Sequence, residues 1–219
     1  MWVKICGTTN LEDALLAVDA GADAVGFVFA ESSKRRVTAE QVAAITRAMP
    51  SHVEKVGVIV NETFERIAEI VRIAGLTGVQ LQGDESPELT SELRRLGLRI
   101  LVKTIQAITG TDALATRIAP YRSHVDAILL DSGSPAERGG TGKRFAWKEA
   151  AAALNKVETR IIVAGGLNPD NVAEAIATLQ PWGVDVVTGV ERELGKKDPE
   201  KVRAFVAAAR NAHQKVFAT

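Results

Sequence analysis

Cysteine is nearly missing from this 219-residue chain, which holds one, Cys6. A single thiol cannot close an internal disulfide, and a thiol kept free suits a reducing compartment, so the expected location is cytoplasmic. Histidine is scarce as well: His52, His124 and His213 are the three present, and none follows a strand-like run. Charge of one sign is not in excess, with 27 Lys and Arg against 27 Asp and Glu. No global field therefore draws the chain to nucleic acid or an anionic membrane, and any anion it binds has to be gripped locally. Nor is there an uninterrupted apolar run of about 18 residues, which argues against a membrane span. The opening MWVKICGTTN lacks the basic stretch and apolar run of a secretory signal.

What the chain does have is a regular alternation of short β-branched runs with longer amphipathic ones. The strand-like runs are VKIC, AVGFVF, KVGVIV, GVQLQ, RILVKTI, AILLD, RIIVAGG and GVDVVTG. Most are almost wholly apolar, as strands buried on both faces of a parallel sheet are. Between them, LEDALLAVDAG, TAEQVAAITRAM, FERIAEIVRIAG and SPELTSELRRLG read as helices, followed later by AWKEAAAALNK, NPDNVAEAIATLQ and DPEKVRAFVAAARNAHQ. Leu11, Leu15 and Val18 recur at helical spacing, with Gly21 as a stop signal. Thr38 with Gln41 has the form of a capping box, and Ser86 precedes Pro87 at a first helical position. About eight successive βα units with no linker between them predict an α/β fold, one (β/α)8 barrel domain over residues 1–219.

A barrel of this kind carries its chemistry at the C-terminal ends of its strands. Cys6 ends the first strand, where a thiol reads either as a small buried apolar group or, beside a cation, as a base or nucleophile. The loop AESSKRRV follows the second strand; its arginines read as a solvated charge run or as a carboxylate clamp. Asp131 ends AILLD and reads as a turn residue or as a proton donor partly withdrawn from water. RGGTGKRF brings Gly139, Gly140 and Gly142. AGGLNPDN leads into a helix at Pro169 and offers the backbone N–H groups of Gly165 and Gly166; VVTGVE adds Thr188 and Gly189. Loops after strands seven and eight are the common phosphate site of the fold, so a small phosphorylated substrate is inferred. No clustering of His, Cys or carboxylates suggests a metal site, and no Walker or dinucleotide fingerprint is present.

With KICG, GADAVGFVF, QLQGDE, LLD, GGTGKRF, AGGLNPDNV and VDVVTGVE in order, the chain resembles the phosphoribosylanthranilate isomerases of tryptophan biosynthesis over nearly its whole length. The resemblance implies a cofactor-free Amadori rearrangement with Cys6 as general base and Asp131 as general acid. It places Arg35 on the anthranilate carboxylate and puts Gln82, Gly142 and Asp185 among the substrate-binding positions. Gly165, Gly166, Thr188 and Gly189 fall in the phosphate site. The chain departs from the family pattern at Gln82, usually histidine, at Val187 and Thr188, usually two serines, and at Ala146, usually an aspartate suited to capping the next helix. Two other readings compete: a Schiff-base aldolase using Lys103, if the fifth strand turns it into the barrel, and a non-catalytic phosphate-ligand binder. Monomer and homodimer are both compatible with a barrel of this size.

Overall fold

β-branched and aliphatic runs satisfy their backbone groups by pairing with neighbouring strands, and here each run pairs with the next until the last meets the first. The computed structural model describes residues 1–107, 111–132, 146–154 and 157–217. Its parallel strands are β1 (Trp2–Ile5), β2 (Ala24–Val28), β3 (Glu54–Ile59), β4 (Gly78–Leu81), β5 (Ile100–Gln106), β6 (Ala127–Asp131), β7 (Ile161–Val163) and β8 (Gly183–Val186). They form a closed barrel in sequence order, sealed where Trp2, Val3, Lys4 and Ile5 pair with Gly183, Val184, Asp185 and Val186. The barrel leaves no sheet edge exposed.

The helices are α1 (Leu11–Asp19), α2 (Ala39–Thr46), α3 (Phe64–Ala74), α4 (Pro87–Leu93), α5 (Thr111–Ile118), α6 (Trp147–Leu154), α7 (Val172–Leu179) and α8 (Pro199–Phe217). Local sequence explains their starts: Thr38 and Gln41 form the reciprocal capping box of α2, and Ser86 caps α4 with Pro87 in its first turn. α6 follows Ala146, whose carbonyl accepts from the Ala150 N–H but whose side chain offers no acceptor. Among the described residues no helix is long and apolar enough to cross a membrane.

Three local features go beyond or depart from the sequence pattern. The buried face of α1 is Asp13, Ala14 and Ala17, while Leu11 is exposed, because small residues let the helix approach the barrel closely. Pro169 lies in a turn, and α7 begins at Val172. After β8 a 3-10 turn, Thr188–Val190, runs into an antiparallel hairpin, β9 (Glu191–Glu193) and β10 (Lys196–Lys197), that the alternation pattern does not announce.

Alternation along each strand sorts the core into two layers. Val3, Ile5, Val25, Phe27, Leu101 and Ile128 pack outward against the helices. Ala24, Val56, Ile100, Val102, Ala127, Leu129, Ile162 and Ala164 fill the barrel interior.

Candidate active site

Strand parity places the first groups of the site. Lys4 lies in register with Ala24 and Asp185, so it shares the interior face with them, and Cys6 continues that face to the barrel mouth. Lys4 has no exposure to solvent, and its Nζ lies 2.8 Å from Asp185 Oδ1. Burial works against the Lys4 charge, but the Asp185 carboxylate and Cys6 outweigh it and hold the ammonium above the ordinary lysine range. Cys6 is buried, which pushes its thiol up; Lys4 pulls in the opposite direction and Asp185 adds to the rise.

The opposite wall holds the second group. Gln82 Nε2 donates to Asp131 Oδ2 at 3.1 Å, and Gln82 Oε1 accepts from Gln80 Nε2 at 2.6 Å and from Thr104 Oγ1 at 2.7 Å. All four residues are buried, on β4, β5 and β6 or just beyond β4. In an eight-membered ring those strands face β8, β1 and β2 across the mouth, so the thiol and the carboxyl flank one space.

Around the rim, Arg35 donates to both carboxylate oxygens of Glu191, from Nε at 2.7 Å and from Nη2 at 2.6 Å. This hydrogen-bonded pair raises the Arg35 guanidinium, although its partial burial acts the other way. For Glu191, burial would raise the carboxyl, but Arg35 and Lys197 together hold it below the ordinary range. Lys197 Nζ donates to the Cys6 carbonyl at 2.6 Å and the Val187 carbonyl at 3.2 Å; burial lowers its pKa, opposed by Glu191.

The two glycine-bearing turns meet. Gly165 and Gly166 adopt positive φ, +81° and +67°. A side chain at Gly189 would run into the Leu167 carbonyl, so only glycine allows the loops after β7 and β8 to lie this close. The N–H groups of Asp170 and Asn171 are held by Asn168 Oδ1, and that of Asn168 by Asn171 Oδ1.

The structure thus brings Cys6, Arg35, Gln82, Asp131, Asp185, Gly165, Gly166, Thr188 and Gly189 to the strand-end face of the barrel, while Gly142 lies outside the described residues. Lys103 is a correction. It pairs in register with Ile128 and Leu81 on the outward face, and its Nζ donates to the Gly83 carbonyl at 2.6 Å and Glu85 Oε2 at 2.7 Å, so it presents no amine to the interior. The aldolase reading fails on parity. Lys4, Gln80, Thr104, Glu191 and Lys197 escape the strand-end reading; a polar residue two places before Cys6 or Gln82 was the available signal for Lys4 and Gln80, because period two puts them on the same face. Among the described residues no three His, Cys, Asp or Glu side chains are grouped so as to hold a metal ion.

Comparison with known proteins places this arrangement. Residues 3–208 match the family model described as N-(5'phosphoribosyl)anthranilate (PRA) isomerase. The N-(5'-phosphoribosyl)anthranilate isomerase of Citrifermentans bemidjiense is 48% identical over 208 residues, covering 95% of this chain and 96% of that one. A solved phosphoribosyl anthranilate isomerase in complex with reduced 1-(o-carboxyphenylamino)-1-deoxyribulose 5-phosphate superposes with a TM-score of 0.84 at 36% identity, covering 96% of this chain and 99% of that chain. Mutually generated monomers of the dimeric Thermotoga maritima enzyme give a TM-score of 0.83 at 37% identity, over 96% and 99% of the two chains.

Proposed function

The chain belongs to the N-(5'-phosphoribosyl)anthranilate isomerase family, and on that premise we propose how its residues divide the reaction. The reaction is the Amadori rearrangement of N-(5-phosphoribosyl)anthranilate to 1-(2-carboxyphenylamino)-1-deoxyribulose 5-phosphate, a step of tryptophan biosynthesis. Asp131 gives its proton to the ribose ring oxygen; the bond from that oxygen to the anomeric carbon breaks, and a protonated Schiff base remains. The Cys6 thiolate then removes the C2′ proton, and the released electron pair neutralises the iminium to give the enolamine, which tautomerises to the ketone. Cys6 ends as thiol and Asp131 as carboxylate, and exchange with water resets both. Steps of this kind contribute about 10²- to 10⁴-fold each.

The observation that carries this division is the placement of thiol and carboxyl on facing walls of one barrel mouth, each with its own polar support. Arg35 is assigned to the anthranilate carboxylate, and the two-point hold it makes on Glu191 through Nε and Nη2 would have to be shared with or exchanged for that ligand. The phosphate is assigned to the N–H groups around Gly165, Gly166, Thr188 and Gly189, because the neighbouring N–H groups of Asn168, Asp170 and Asn171 are already engaged by asparagine side chains. The related complex holds a ligand that carries a 5-phosphate, in keeping with a phosphorylated substrate here. Substrate contacts of Gln82 and Asp185 come second to their contacts with Asp131 and Lys4.

Fluorescence decay of freshly prepared phosphoribosylanthranilate tests substrate and roles together. Cys6→Ala and Asp131→Asn are each expected to lower kcat by about 10³-fold while a product analogue still binds. Near-normal kcat in either folded variant removes that residue from its role.

A further inference from the structure

A buried thiol is a poor base until something makes its ionisation cheap, and the two walls of the site differ in what they provide. Beside Cys6 the chain places a lysine inside the barrel, fully buried above an interior filled by residues such as Ala24, Val56 and Val102. Lys4 stands two residues before Cys6 on the same face of β1, with its charge held by Asp185 across the closing seam. Space for the encounter comes from β2. A methyl group built on Gly26 would lie 2.5 Å from Cys6 Sγ and 3.1 Å from Lys4 Nζ, so the thiol and the ammonium share the volume that this one missing side chain leaves open.

We propose that Lys4 is a positioning residue for the base: its ammonium, kept charged by Asp185 and admitted by Gly26, is the fixed counter-ion against which Cys6 ionises. This rests on the reading of Cys6 as the base. Of the other charged groups near Cys6, Lys197 also favours the thiolate, but less than Lys4 does. Lys197 spends its donors on the Cys6 and Val187 carbonyls, and Arg35 is forked onto Glu191, which also neutralises Lys197 at 3.4 Å. Asp185 is the carboxylate on the base's own wall, and without Lys4 it would repel a thiolate. On ionising, Cys6 passes its proton to water; in turnover the thiolate takes the C2′ proton and becomes thiol again, while Lys4 keeps its own proton throughout. The direction of the two titrations agrees, since Lys4 and Cys6 each favour the other's charged form.

Because Cys6 is the only cysteine, the thiolate absorbance near 240 nm, taken as the difference from Cys6→Ala, reports this one group. Lys4→Met keeps the length of the side chain and removes its charge. An opposite charge at this range shifts a pKa by about 1 to 3 units, so the thiolate midpoint is expected to move up by at least about one pH unit, with roughly tenfold less thiolate near neutrality. The kcat profile should shift to alkaline pH by the same amount, while KM changes less. If Lys4→Met does not fold, Lys4→Met with Asp185→Asn removes the stranded carboxylate and serves the same spectroscopic measurement. A midpoint that stays in place in folded Lys4→Met, or that in the double variant does not rise above the midpoint of Asp185→Asn alone, overturns the proposal. A midpoint that moves while the kcat profile does not shows that turnover does not use this thiolate; that result removes the reading of Cys6 as base and the proposal with it.

Discussion

At the scale of single residues, Gln82 shows how a side chain that cannot titrate supports one that must. Its Oε1 takes two donors, from Gln80 and Thr104, so the amide is oriented with Nε2 toward Asp131. Asp131 becomes charged as its proton leaves, and a hydrogen bond to a charged partner is worth about 1.5–3 kcal/mol, so Gln82→Leu is expected to lower kcat roughly 10- to 100-fold, with a smaller effect on KM. Steady-state kinetics on the folded variant would decide it, and equal losses in kcat and in analogue affinity would instead make Gln82 a substrate ligand. Cys6 carries a pH prediction of its own. Burial lifts its thiol above the ordinary range, so the thiolate absorbance of the native enzyme should still be climbing beyond the usual cysteine midpoint. A profile that is flat from neutral to alkaline pH contradicts this. Cys6 and Asp131 were legible as strand-end residues; their partners were not, because hydrogen bonds between β4 and β6 or ion pairs between β1 and β8 join positions 49 or more residues apart.

At the scale of elements, the carboxylate of Glu191 and the ammonium of Lys197 tie the hairpin β9–β10 to the barrel mouth. Glu191 receives Arg35 from the loop after β2 and lies beside Lys197, whose backbone N–H donates to Asp13 on α1. Glu191→Gln is expected to cost roughly 1–3 kcal/mol, the usual penalty for leaving a buried donor badly matched, and to lower Tm. The folded carboxyl sits below its unfolded value, so this stabilisation is full above the ordinary glutamate range and disappears as pH falls through the depressed folded value. Thermal melts of both proteins should therefore differ at pH 7 and converge on acidification; a gap that persists unchanged into acid would mean the carboxylate charge is not what holds the hairpin. Caps at Thr38 and Ser86 could be read directly, since a cap depends on residues three apart. The spacing of Leu11, Leu15 and Val18 marks α1 as a helix but does not give its buried face, which is Asp13, Ala14 and Ala17, because close helix–barrel packing prefers small residues.

At the scale of the whole molecule, the barrel is closed by the β1–β8 seam and backed there by α8. Arg210 of α8 donates to Asp23 Oδ2 at 2.7 Å and to the Gly21 and Met1 carbonyls, while Phe205 is fully buried beneath it. Phe205→Ala should cost about 3–5 kcal/mol, measured by denaturant unfolding, because it would leave a cavity where α8 packs into the core. A loss under about 1 kcal/mol would show that α8 is not needed to hold the barrel closed. The sequence by itself determined the repeated βα unit, the eight strands of the barrel and which residues stand at their ends, since periodicity, apolar runs and caps are local properties of the chain. Only the tertiary structure decided that Lys4 faces inward while Lys103 faces outward to Glu85, and that Asp131 answers to Gln82 and Arg35 to Glu191. Closing eight strands into a ring fixes register and parity for all of them at once, and that condition is not written in any one segment.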